Sequence, residues 1–138
     1  MALIEVQMEI NAPVGKVWDV VSDIDNEPKF WKGTKEVRNI SKEENTVQRE
    51  ITIAFRDQKC LQEVKIYPKE KIEAKFTKGI IDGKKIVSLT PKDEKTILST
   101  YWDIKLTGMM GMFTGMIKKH IKSGTEQAMQ SIKEEIER

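Results

Sequence analysis

Read with a period of two, several stretches of this chain form apolar rows broken by single polar residues. Val47, Arg49, Ile51, Ile53 and Phe55 share one face, with Gln48, Glu50, Thr52 and Arg56 on the other. Cys60, Gln62, Val64 and Ile66 form a second row, and Ile72, Ala74 and Phe76 a third. Leu98, Thr100, Trp102, Ile104 and Leu106 form the fourth. Arg49, Gln62 and Thr100 are the interruptions. An apolar surface carrying a few polar groups that orient a ligand is the usual composition of a small-molecule site. Arg49 is the sharpest of the three, because a guanidinium cannot shed its charge. Turned inward, it needs an acceptor, water or an anionic ligand group. It either reaches solvent from a strand end, pairs with a nearby glutamate, or contacts ligand.

Two other side chains have chemistry of their own. His120 is the only histidine and the one group whose ordinary pKa lies near neutrality. It falls four residues after Met116 and beside Ile121, at the edge of a helical apolar stripe, so it is a boundary histidine or a hydrogen-bond partner for ligand. As a general base it would need a residue to orient the ring, and none is identifiable. Cys60, the only cysteine, has Lys59 as its sole cationic neighbour and reads as a small buried hydrophobe. The carboxylate pairs Glu43-Glu44 and Glu134-Glu135 belong to a turn and an exposed helix end, as solvated charges. No phosphate loop, nucleophile elbow or metal-ligand spacing occurs in the sequence. No catalytic residue and no metal are expected.

The segment Gly108-Met109-Met110-Gly111-Met112-Phe113-Thr114-Gly115-Met116 is set apart by its flexible thioethers and its glycines. It reads as an adaptable apolar wall or as filling beneath a helix start. Lys118, Lys119 and Lys122 follow directly, so a greasy, basic-rimmed entrance could also touch a membrane surface transiently.

The elements that position these residues follow from the same periodicities. Ile4, Val6, Met8 and Ile10 alternate with Glu5, Gln7 and Glu9, which predicts a strand. Asn11-Ala12-Pro13 ends it and opens a short helix through Val14, Val17, Trp18 and Val21, running to about Ser22-Asp23. A second short helical piece spans about 25–31, and Gly33 closes it. Strands are expected at about 35–42, 46–56, 59–67, 71–78, 84–90 and 96–106. Short polar connections separate them, Ile81-Asp82-Gly83 among them, which predicts an antiparallel meander. From about Gly111 to Arg138 a long helix carries Phe113, Ile117, Ile121, Ala128, Ile132 and Ile136 on one stripe.

Composition narrows the function classes. A length of 138 residues suits one domain spanning 1–138. The 24 basic and 22 acidic residues leave a net charge of +2, with arginine only at 38, 49, 56 and 138, so no nucleic-acid partner is expected. A single cysteine excludes an internal disulfide and suits a reducing compartment. With no long apolar run and no signal-peptide pattern, a soluble cytoplasmic protein is expected.

The opening Ile10-Asn11-Ala12-Pro13-Val14-Gly15-Lys16-Val17-Trp18-Asp19-Val20-Val21-Ser22-Asp23, with Pro28-Lys29-Phe30-Trp31 and the long closing helix, resembles the START and polyketide cyclase superfamily, also called SRPBCC. The resemblance covers the whole chain. It implies an α+β helix-grip fold: seven curved antiparallel strands wrapped around a long C-terminal helix, with two short helices after the first strand. It also implies a cavity between sheet and helix for a hydrophobic or amphipathic small molecule. The residues expected to line it are Phe30, Trp31, Arg49, Ile51, Ile53, Gln62, Val64, Ala74, Phe76, Thr100, Trp102, Met109, Met112, Phe113, Met116 and His120. Binding and carrying a lipid, isoprenoid quinone or polyketide-like molecule is the function the resemblance favours. A cyclase or dehydratase, or a module presenting a lipid or quinone to a partner, is the alternative. No cofactor is expected, and the chain would be a monomer or homodimer.

Overall fold

The computed structural model describes residues 2–138. Strand β1 (Ala2–Ile10) leads into helix α1 (Val14–Val21), a 3-10 turn at Ile24–Asn26 and the single-turn helix α2 (Glu27–Phe30). Six strands follow: β2 (Thr34–Glu43), β3 (Thr46–Ile53), β4 (Lys59–Tyr67), β5 (Lys71–Lys78), β6 (Ile81–Lys92) and β7 (Lys95–Leu106). A 3-10 segment (Gly108–Phe113) then enters the long helix α3 (Thr114–Glu137). All pairings are antiparallel and the sheet order is β1-β7-β6-β5-β4-β3-β2. Sequential hairpins therefore build β2 to β7, and β1 returns to close against β7. This is the helix-grip arrangement.

Three local features differ from the sequence expectation. The first is β6, which begins at Ile81 and runs straight through the expected Ile81-Asp82-Gly83 turn. The connection is Gly79-Ile80, and Gly83 has φ +126° inside the strand. Its missing side chain serves close approach: a Cβ there would lie 2.0 Å from the Asp103 carbonyl oxygen on β7. The second is β3, which stops at Ile53, after which Phe55–Asp57 forms a 3-10 turn with Arg56 and Asp57 at positive φ. The third is α3, which starts at Thr114, not Gly111, because Gly108 (φ +59°) and the residues after it wind three to a turn. The Thr114 hydroxyl accepts the Leu106 backbone N–H at 3.1 Å and pins the helix start to the end of β7.

The core falls into three clusters, the smallest being Val47, Val64, Ile72 and Ala74 with Trp18, Val21 and Ile24 packed against it. At one end Ile10, Val17, Leu98, Met129, Ile132 and Ile136 pack together, with Trp18, Phe30 and Trp31 against them. Here the last three turns of α3 sit directly on the sheet, burying Thr125, Ala128, Met129, Ile132 and Ile136. At the other end Ile51, Ile53, Phe76, Ile104 and Leu106 line the sheet, while Ile117 and Ile121 of α3 are only partly buried above them. The helix is held at one end and stands off at the other. That difference makes the cavity.

Candidate functional site

Cross-strand register orders the inward face into rows. One row reads Ile4, Trp102, Lys85, Ala74, Val64, Val47 across six strands. The next row toward the open end reads Ala2, Ile104, Gly83, Phe76, Gln62, Arg49. A cavity of about 580 Å³, within the range of small-molecule sites, is lined by Trp102 and Lys85 of the first row and by Phe76 and Gln62 of the second. Its walls are mainly apolar: Ile51, Ile53, Phe55, Phe76, Ile80, Ile81 and Leu106 below, Met110, Phe113, Met116, Ile117 and Ile121 above.

The buried polar groups gather at the closed end, while Arg56 and His120 line the wall at exposed positions. Arg49 is 2% exposed and reaches three acceptors: Glu27 Oε1 from Nη2 (2.7 Å), Gln62 Oε1 from Nε (2.9 Å) and the Ile24 carbonyl from Nη1 (3.2 Å). Of the three fates open to Arg49, pairing with a glutamate is the one it adopts. The second oxygen of Glu27 accepts the Thr34 hydroxyl at 2.8 Å, which joins the start of α2 to the start of β2. Burial alone would raise the Glu27 carboxyl. The charges of Lys85 and Arg49 and the bonds from Arg49 and Thr34 outweigh it and hold the group at about 2. A carboxylate so weakly basic is not placed to take protons near neutrality.

Lys85 lies beside this pair, 7% exposed. Its ammonium stands 3.2 Å from the centroid of the Trp31 ring and 5.0 Å from that of Trp102, and the two indoles meet edge to face at 6.4 Å. Burial lowers its pKa to about 8, with Glu27 opposing that shift and Arg49 adding to it. Trp102 is fixed in turn: its indole N–H donates to Thr125 Oγ1 on α3 at 3.0 Å, and that hydroxyl donates to the Ile121 carbonyl at 2.7 Å. The Cys60 thiol is pushed up by burial and lies outside the cavity wall.

Of the residues expected to line a cavity, Trp31, Ile51, Ile53, Gln62, Phe76, Trp102, Phe113, Met116 and His120 meet on its wall. Phe30, Arg49 and Ala74 lie behind the Glu27–Lys85–Trp31 partition, around a void of only about 40 Å³. Four expected residues are off the wall. Val64 belongs to the cluster of Val47, Ile72 and Ala74 against which Trp18, Val21 and Ile24 pack. Thr100 lies a row beyond Trp102, where α3 already rests on the sheet, and its buried hydroxyl has no hydrogen-bond partner among the described residues. Met109 and Met112 are 92% and 81% exposed, because three residues per turn put 109 and 112 outward and 110 and 113 inward.

Glu27 and Lys85 are the largely buried charged wall residues that sequence reasoning passes over; Phe55, Ile80, Ile81, Leu106, Met110, Ile117 and Ile121 are apolar wall residues also outside the expected set. Lys85 was detectable, since it shares the parity of Val87 and Leu89 on the inward face of β6. Glu27 gave no such signal on a helix of one turn.

The model of the family described as polyketide cyclase/dehydrase and lipid transport matches residues 1–137. No curated protein sequence matches the chain. Solved structures share the fold at low identity. A protein of Thermus thermophilus is 14% identical, with TM-score 0.83 over 97% of this chain and 96% of the other. The Zhui aromatase/cyclase from a Streptomyces species is 14% identical, with TM-score 0.80 over 99% and 93%. A START superfamily protein from Mycobacterium smegmatis is 16% identical, with TM-score 0.77 over 99% and 98%.

Proposed function

Since the chain belongs to the polyketide cyclase/dehydrase and lipid transport family, we propose that it binds and carries an amphipathic small molecule, a lipid, isoprenoid quinone or polyketide-like compound, without transforming it. The observation that carries this reading is the 580 Å³ mainly apolar cavity whose largely buried polar groups, Glu27, Gln62 and Lys85, lie at the closed end, with Arg56 and His120 exposed elsewhere on its wall. A molecule with an apolar body and one polar terminus matches that distribution. Carriage is favoured over cyclisation because Glu27, the one carboxylate on the wall among the described residues, is engaged on both oxygens. Lys85 and His120, also on the wall, have no hydrogen-bonded acid or base partner among the described residues with which to move a proton at a reacting carbon.

The test uses Nile red, a neutral dye whose emission rises in apolar surroundings. Gly124 of α3 lines the cavity, and a Cβ placed there meets nothing within 4 Å. Gly124→Phe therefore fills the cavity from the helix side without a backbone clash. Saturable binding at one dye per chain, weakened tenfold or more in Gly124→Phe, is expected. Equal binding by the two proteins would put the dye elsewhere and remove the basis for carriage. Native mass spectrometry of the purified protein would then identify a retained cargo by its mass.

A further inference from the structure

Three charges lie at the closed end of the cavity: Arg49, Lys85 and Glu27. Glu27 brings one negative charge against two cations and acts on both. Its Oε1 is held by Arg49 and its Oε2 by Thr34. Among the described residues no carboxylate lies within 4.0 Å of the Lys85 ammonium, and none of its three N–H donors has a protein acceptor. The faces of Trp31 and Trp102 stabilise the cation but accept no conventional hydrogen bond. The other charged groups on the wall do not correct the imbalance, since Arg56 is a cation and His120 is neutral or cationic, both exposed. A buried cluster one negative charge short is unfavourable when empty of a counterion.

We propose that Lys85 is the headgroup site for an anionic ligand, and that the cargo is an amphipathic molecule ending in one carboxylate. The inference rests on the carrier reading and specifies the ligand class. The acid group would meet the Lys85 ammonium between the two indoles. The apolar body would run along Ile81 and Leu106, four residues from Lys85 on β6 and from Trp102 on β7, roughly 13 Å. At neutral pH the ammonium is still largely charged, and a carboxylate beside it would hold it so.

Matched displacement of Nile red by dodecanoate and by dodecanol tests this at pH 7. The two chains differ only in the terminal group. The wild-type protein is expected to bind dodecanoate at least tenfold more tightly than dodecanol, as for one charge-assisted hydrogen bond. In Lys85→Met the preference should disappear while dodecanol binds as well or better. Lys85→Arg, which keeps the charge, should retain a preference, and Lys85→Gln serves if the methionine variant does not fold. Equal displacement by acid and alcohol in the wild type would overturn the assignment, as would a preference that survives in Lys85→Met or Lys85→Gln. In both cases Nile red binding would persist, so loss of the headgroup site is distinguishable from failure of the carrier reading, in which no probe binds the cavity.

Discussion

The Arg49–Glu27 pair should be among the most expensive interactions in the fold to break singly. Arg49→Met removes three hydrogen bonds at once and leaves Glu27 Oε1, the Gln62 carbonyl and the Ile24 carbonyl without that donor. Removing one partner of a buried ion pair costs about 3–5 kcal/mol. Lys85 still faces Glu27 in this variant, so the lower end, about 3 kcal/mol, is expected. The acid dependence should give a second figure, in which Lys85 and Thr34 contribute as well as Arg49. Glu27 falls from 4.5 to about 2 on folding, a shift that corresponds to roughly 3 kcal/mol. Its folded pKa is depressed, so the contribution is fully present above pH 4.5 and is lost as pH falls from there through 2. Urea unfolding followed by tryptophan fluorescence, at pH 7 and at intervals down to pH 2.5, measures both quantities. Comparing wild type with Glu27→Gln isolates this carboxylate from Glu9, Glu135 and Glu137, which are also lowered. The double variant Arg49→Met/Glu27→Gln should lose at least about 1.5 kcal/mol less than the sum of the single losses. If the acid curves of wild type and Glu27→Gln ran parallel below pH 4.5, or the two losses simply added, the pair would not be coupled as described.

Two further outcomes concern the scaffold. Gly83→Ala should cost about 3 kcal/mol or prevent folding, because the new Cβ would meet the Asp103 carbonyl and Ile104 Cα on β7 and φ is +126°. Gly15→Ala, with nothing within 4 Å and a helical site, should instead gain about 0.5–1 kcal/mol; thermal melts showing equal effects would refute the distinction. Thr100→Val should gain about 1 kcal/mol, because a buried hydroxyl without a partner is replaced by a methyl group of similar shape. A loss of similar size in chemical denaturation would show that the hydroxyl has a partner after all.

The strands were legible because their rows alternate and their turns are polar. Glu44, Lys69 and Asp93 adopt the positive φ such tight connections require. Gly83 misled for a physical reason: positive φ usually marks a turn, but here it lets two strands approach. The apolar wall was legible from parity. The charge arrangement was only half legible, since Arg49 announces a need for an acceptor without saying which glutamate meets it. Glu27 lies 22 residues before Arg49 on another element, a contact created by folding back and not by any local period. The methionines illustrate the remaining limit. Their side depends on three residues per turn against 3.6, a choice made by glycine placement and by the Thr114–Leu106 tether.

The position of β1 at the sheet edge has a kinetic consequence. Strands β2 to β7 pair with sequence neighbours, so each hairpin closes a short loop and forms quickly. Strand β1 pairs with β7 from Ala2↔Ile104 to Ile10↔Thr96, which requires the start of the chain to meet the last strand of the meander. The closure entropy is large, and there is no docking surface until the meander exists. Assembly should therefore proceed from the middle of the chain outward, with the first strand synthesised among the last to dock. Until then β7 presents an unpaired edge, so refolding yield should fall as protein concentration rises.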